Sequence, residues 1–533
     1  MLDSSKTHLF ILALAVWVGY YLGIAGLPLF DLDEGAFTSA TRAMFERGDF
    51  ITPYLNNEVR FDKPILIYWL QAGSVALFGM QEWALRLPSA LASTFWVAMI
   101  YLFALRFFSA RQAFFSALVA ATALMATVVG KAAIADAVLM LFMTAAVFAT
   151  FLFWVEGHRR YIYWAFITMG LGFLTKGPVA VVIPAAVSFL FFLSTARLND
   201  WWRAVLDWRG ILLFLVIALP WYVIAFMING MELIDDFFIK NNFERFSDTM
   251  HGHSGGYHYY PLVTFIALLP FTGAIITALS RLKSVFRGAL NRRADIDTST
   301  ALLRFAWIWF FFVLILFSFS GTKLPHYLNY GLVGLMLIVG YYLPQIKNRW
   351  LHVTPVLLFF LFMLALPTLL NVFIDEIKPQ YVADLLAERD AYFGWGWYLP
   401  VIAFSLLGIY SLSKRSGSLP HMMVPLALAF SFVANGILLT AVANLQQGPI
   451  KNAGLVAKEL PGDLVMVGMK TPSVGVYADK TLALRPPKPG DLVLIHHDRW
   501  QTGRDGIQGQ VLFAQGGVLL LRVEQIDGST EPK

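Results

Sequence analysis

Apolar residues are grouped in runs of bilayer-spanning length, parted by short connectors that carry most of the charge. The runs lie near 9–29, 89–107, 112–130, 135–155, 161–174, 178–196, 210–229, 261–280, 302–320, 326–345, 350–373, 398–413 and 420–445, and each predicts a membrane helix. The first is too long for the apolar core of a secretory signal and has no small-residue cleavage site, so it is read as a retained span. Between the first two runs the rhythm changes. Over 35–47, Phe37, Ala40, Met44 and Phe45 recur at helical spacing while Arg42, Glu46 and Arg47 take another face, the pattern of a short amphipathic helix on the membrane surface. Gly48 ends it, 51–58 with Pro53 and Asn56-Asn57 is turn-rich, and the apolar piece at 65–80 is marginal for a crossing.

Whether 65–80 crosses decides the orientation of everything after it. If it lies in the outer interface, the basic clusters Arg106/Arg111, Arg159/Arg160, Arg197/Arg203/Arg209, Arg281–Arg293, Lys347/Arg349 and Lys414/Arg415 all fall on one side. That is the asymmetry that the positive-inside rule requires. The expected architecture is a polytopic α-helical domain over 1–446, with about 13 spanning helices, the N-terminus inside and interfacial helices in the first outer loop, 30–80. From 447 to 533 Gly and Pro increase, and short apolar runs at 464–467, 492–495 and 518–523 read as strands, giving a small, soluble, outward-facing α/β domain.

Composition sharpens this picture. With 58% hydrophobic and 14% charged residues, the chain has too little polar surface for a soluble particle of 533 residues. It contains no cysteine, which excludes a disulfide scaffold and thiolate metal sites. Its pI of about 9.2 could suggest nucleic acid, but the basic residues sit as loop anchors between apolar runs, and no nucleic-acid partner is expected.

By the same parity, the unusual polar residues reach one surface from four outer loops: Asp33 and Glu34 with Asp62 and Lys63; Asp136; Glu244, Arg245, His251, His253 and His258; and Lys323, His326 and Tyr327. Carboxylates, imidazoles and lysines converging from distant segments are the pattern of a catalytic cleft at the membrane boundary. Each has a plainer reading. Asp33-Glu34 could anchor a helix N-terminus through its dipole, and Asp136 could cap its helix. Lys63 and Lys323 could snorkel to headgroups or bind phosphate. The histidine spacing is compatible with a divalent metal or with solvated loop residues. No Walker loop or dinucleotide fingerprint is present, so the cleft suits a substrate whose phosphate sits at headgroup level and whose tail stays in hydrocarbon. A transporter or lipid-linked sugar flippase would show repeated halves with breaks near the midplane, and no such repeat is seen.

At these residues the chain resembles the GT-C integral-membrane glycosyltransferases, in the branch of the protein mannosyltransferases and the bacterial aminoarabinose (lipid A) transferases. The resemblance runs through Asp33-Glu34, Arg42-Ala43-Met44, Gly48-Asp49-Phe50, Phe61-Asp62-Lys63-Pro64, Arg86-Leu87-Pro88, Asp136, Thr175-Lys176-Gly177, Glu244-Arg245-Phe246, Lys323-Leu324-Pro325-His326-Tyr327 and the segment from Pro472 to Tyr477. It implies transfer of a sugar from a polyprenyl-phosphate carrier, commonly undecaprenyl phosphate, to a lipid A-type or other envelope acceptor. A protein or polysaccharide acceptor is the alternative. The implied location is the periplasmic face of the bacterial inner (cytoplasmic) membrane. It also implies roles: Asp33, with Glu34 beside it, and Asp136 as catalytic acids; Lys63 and Tyr327, with Lys323 and His258, as carrier-phosphate contacts; and Asp62 with His253 as ligands of a metal such as Zn, Mg or Mn. Asp62 stands where the aminoarabinose transferases carry Glu, and His258 where an aromatic is usual. The displacement expected is inverting, with Asp33 as general base toward a hydroxyl acceptor or as an orienting group toward a phosphate.

Overall fold

A computed structural model describes residues 5–244, 255–287, 296–374, 380–413 and 419–526. Among them eight helices are long and apolar enough to cross a membrane, or ten when each of two bent pairs counts as one span. The N-terminal part begins with α1 (Ser5–Val16), continued by a wider-wound turn to Tyr21, and α2 (Asp33–Arg47). Next come α3 (Leu66–Phe78), α4 (Glu82–Leu105), α5 (Ala110–Thr122) and α6 (Leu124–Lys131). They are followed by α7 (Asp136–Glu156), α8 (Arg159–Lys176) and α9 (Val179–Ser194). The first apolar run is thus helical only as far as Tyr21.

The helix α3 has 13 residues and reaches about 20 Å, well short of a hydrocarbon core of about 30 Å. It packs on the amphipathic α2 and leaves Trp69, Leu70, Leu77 and Phe78 exposed. Between them, Tyr54–Leu55 (β1) and Glu58–Val59 (β2) pair antiparallel. Asn56 and Asn57, both at positive φ, make the two-residue turn that a tight hairpin needs.

The two bent pairs complete each other. The pair α5–α6 bends by 58°, and Tyr259–Ala267 with Thr272–Ser280 by 118°. The Leu124 N–H freed at the first break donates to the Leu269 carbonyl at the second, at 3.0 Å, so broken backbone inside the bundle stays satisfied. The most deeply buried helix is Asn329–Tyr342, packed against α5 and the helix Thr298–Ser318. A Cβ at Gly334 would lie 2.3 Å from the Ala306 carbonyl oxygen, and one at Gly340 2.1 Å from Ser116 Oγ. Small residues at these crossings let the backbones approach.

Beyond the helix Leu439–Lys458, a four-stranded sheet has the order β3 (Leu464–Val467), β4 (Leu492–His496), β6 (Val518–Ile526), β5 (Ile507–Gln515). The first pair is parallel and the others antiparallel. The C-terminal region therefore forms a small sheet with the three expected strands and one more, β5.

Candidate active site

Beneath α2, the Glu34 carboxylate accepts from Arg86 Nε at 2.8 Å and a second guanidinium nitrogen at 2.5 Å, and from the Phe30 and Ala133 N–H groups at 2.9 and 2.7 Å. Arg86 spends its other donors on the carbonyls of Ile24, Leu27 and Pro28. Burial alone would raise the Glu34 pKa, but the Arg86 charge and these donors hold it below its ordinary value. Sequence reasoning placed Glu34 among the catalytic acids. It is instead enclosed, its carboxylate held by Arg86 and two backbone N–H groups, so it ties together the loop and helix that carry Asp33.

The C-terminal domain grips the same element. Asp31 accepts from the Ser473 N–H at 3.0 Å and its hydroxyl at 2.5 Å, Leu29 N–H donates to the Tyr477 hydroxyl at 2.7 Å, and the Ser39 hydroxyl donates to the Pro472 carbonyl at 2.9 Å. Burial pushes the Asp31 carboxyl up to about 7, with the Ser473 bonds opposing. A Cβ on Gly35 would fall 2.0 Å from Asp31 Oδ1 and 2.7 Å from Ser473 N, so only glycine lets this junction close.

A second buried acid sits at the head of α7. Both oxygens of Asp136 accept from Lys176 Nζ at 2.8 Å, and Tyr330 OH donates to Oδ1 at 2.6 Å. His326 Nε2 is 3.9 Å away. The lysine lies at the C-terminal end of α8 and also contacts the Tyr327 and Tyr330 rings, 5.7 and 5.5 Å from their centroids.

Two cavities meet here. One, of about 490 Å³, has apolar walls of Val179, Val182, Phe238 and Leu316, with Lys63, Lys176 and Tyr327 among its polar residues. The other, of about 1040 Å³, is the more polar of the two, and is bounded by Asp33, the β1–β2 hairpin, His326 and residues among 466–485 of the C-terminal domain. Asp62 and Asn241 line both. Asp62 pairs with Arg60 at 2.9 Å and Lys63 at 2.6 Å.

The structure therefore brings Asp33, Asp62, Lys63, Asp136, His326 and Tyr327 to one end of the bundle. Two sequence candidates sit elsewhere. Lys323 is buried and donates to the Ser318 and Ser320 carbonyls at 2.7 and 2.9 Å, closing the C-terminal end of its helix, where orphan carbonyls need donors. Burial lowers its pKa. His258 is exposed on the turn before Tyr259 and lines neither cavity. Arg245, His251 and His253 lie outside the described residues. Among the described residues no three His, Cys, Asp or Glu side chains converge to hold a metal. Asp62, the described member of the metal pair expected from sequence, is turned to two cations, Arg60 and Lys63. Arg60 and Asn241 were not singled out from sequence, and Lys176 entered only as part of the matching run Thr175-Lys176-Gly177, with no role assigned. For Lys176 a signal existed: a lysine closing an apolar run, beside Gly177-Pro178.

Residues 62–224 match the family model for dolichyl-phosphate-mannose-protein mannosyltransferases. An uncharacterized protein of Aquifex aeolicus is 31% identical over 349 residues, covering 65% of this chain and 76% of that protein. The undecaprenyl phosphate-alpha-4-amino-4-deoxy-L-arabinose arabinosyl transferase of Aeromonas hydrophila is 29% identical over 267 residues, 49% of this chain, and the match spans about half of that enzyme (48%). The fold matches the crystal structure of ArnT from Cupriavidus metallidurans bound to undecaprenyl phosphate, with a TM-score of 0.79 at 20% identity and full coverage of both chains.

Proposed function

Because the chain belongs to the integral-membrane glycosyltransferase family of the protein mannosyltransferases and aminoarabinose transferases, we propose that it moves a sugar from a polyprenyl-phosphate carrier, undecaprenyl phosphate, to a lipid A-type envelope acceptor. The reaction takes place at the periplasmic face of the bacterial inner membrane. One observation carries the reading: an apolar, cation-bearing cavity and a polar one containing Asp33 meet at Asp62 and Asn241.

The carrier phosphate sits beside Lys63 and Lys176, with Tyr327 at its edge. Its tail follows the apolar furrow that continues past Leu316 between α9 and the helix Thr298–Ser318, a space of about 660 Å³ lined by Leu190, Leu193, Phe311 and Ile315. Hydrocarbon in that furrow and charge at its mouth match a lipid monophosphate. The sugar lies at the junction, and the acceptor enters through the polar cavity. An acceptor oxygen bonds the anomeric carbon while the carbon–oxygen bond to the phosphate breaks. The electron pair leaves on the phosphate, whose charge the two lysines stabilise, and configuration inverts. Asp33 takes the proton of a hydroxyl acceptor, or orients an acceptor phosphate that is already ionised. Asp136 holds Lys176 and Tyr330 in place, and Glu34 holds the backbone under Asp33.

The test is transfer from an undecaprenyl-phosphate-linked aminoarabinose donor to lipid A by purified Asp33→Asn protein. Turnover should fall by about 100- to 10,000-fold while undecaprenyl phosphate binding is retained. Near-normal turnover would remove Asp33 from the reaction.

A further inference from the structure

The polar cavity is closed on its outer side by the soluble domain, through Met466, Met469, Lys470, Leu482, Leu484 and Arg485. Its other cations are already engaged: Arg60 with Asp62 at 2.9 Å, Lys240 with Asp236 at 3.4 Å, and Arg485 with Asp463 and Asp491 at 2.7 and 2.6 Å. Among the described residues Lys470 is the cation of this wall with no carboxylate within ion-pair distance. It is exposed, follows β3 by three residues and stands two residues before Pro472-Ser473, where the domain is bonded to Ser39 and Asp31. A flexible ammonium is thus carried on a stretch anchored to the helix that bears Asp33. Around it, two methionines and two leucines supply adaptable apolar surface, the kind on which the C–H faces of a sugar rest.

We propose that this wall selects the acceptor, with Lys470 contacting an anionic group, a phosphate, on the headgroup of a glycolipid. The inference rests on the transferase reading of the same cavity and extends it by naming the residue of this chain that reads the acceptor's charge. Lys470 acts on acceptor binding. The leaving phosphate is handled on the other side of Asp62, by Lys63 and Lys176.

The experiment uses the full-length protein in lipid nanodiscs, with tryptophan fluorescence titrations of two probes, bis-phosphorylated lipid A and undecaprenyl phosphate. Lys470→Ala should weaken lipid A binding by about tenfold, the scale of one charge-assisted contact. Lys470→Glu should weaken it further, Lys470→Arg should preserve it, and the wild-type affinity should fall with added salt more steeply than that of the alanine variant. Undecaprenyl phosphate affinity should stay the same in all four proteins. Equal lipid A affinity in wild type and Lys470→Glu would overturn the assignment. So would displacement of lipid A by millimolar inorganic phosphate in a Lys470-dependent manner, which would make this a bare anion site. If the wild type bound no undecaprenyl phosphate, the transferase reading itself would fail, and that result is distinct from both.

Discussion

Glu34 and Asp136 are both acids in the first turn of a helix, both nearly inaccessible and both paired with a cation. Arg86 meets Glu34 in a closed nest of backbone carbonyls and amides, and neither side chain lines either of the two cavities of the site. Lys176 meets Asp136 with one side bare to the space that also holds Lys63 and Tyr327. Burial and an ion pair therefore do not mark a reactive group. What separates the two pairs is whether the cation keeps a face toward a ligand-sized volume. The closed pair resists opening because a lone charge left inside is costly, whereas the open pair can share its lysine with an incoming anion.

The largest effect expected on this contrast is on the closed pair. Arg86→Ala leaves Glu34 uncompensated and should cost about 3–5 kcal/mol, seen as loss of monodisperse protein or a collapsed thermal midpoint. Next comes the open pair. Lys176→Met should leave a folded protein that binds undecaprenyl phosphate about 10-fold or more weakly, since a charge-assisted phosphate contact is lost. If Lys176→Met were as unstable as Arg86→Ala, the distinction between the pairs would disappear. The smallest effect concerns Asp31, beside the closed pair. Burial pushes its carboxyl up to about 7, against roughly 4 in an unfolded chain, so the native state holds that proton more tightly. This contribution is complete below about pH 4 and is lost as pH rises through 7. The thermal midpoint should be lower at pH 8 than at pH 5 by something on the order of 2–4 °C, and Asp31→Asn should remove the difference. An unchanged slope in that variant would place the titrating group elsewhere.

Most of the fold was legible because hydrocarbon imposes its own period. The apolar runs coincide with helices, and the short piece after Pro64 forms a helix of 13 residues, as its length suggested. The strands of the soluble domain were found where apolar residues cluster. The strand β5 was missed because a glycine and three glutamines cut its apolar run down to Val511–Ala514. Within the site, the sequence points to residues that stand in short motifs, and it does not show which distant partners they meet. Nothing local to Arg86 says that its guanidinium closes on Glu34, 52 residues earlier. Likewise nothing local to Tyr330 says that its hydroxyl donates to Asp136, 194 positions away. Lys323 erred in the opposite direction: beside proline in an outer loop it matched a phosphate ligand, but the helix end it follows had carbonyls in need of a donor.

The bare α-carbon of Gly35 has a practical consequence for anyone building chimeras. Grafting another relative's soluble domain onto this bundle requires more than a matching linker, because the incoming loop has to present a hydroxyl and an amide to Asp31 across a seam too tight for one methyl group. A graft that misses this alignment would rest tilted on the bundle, and the roof over the polar chamber would be displaced with it.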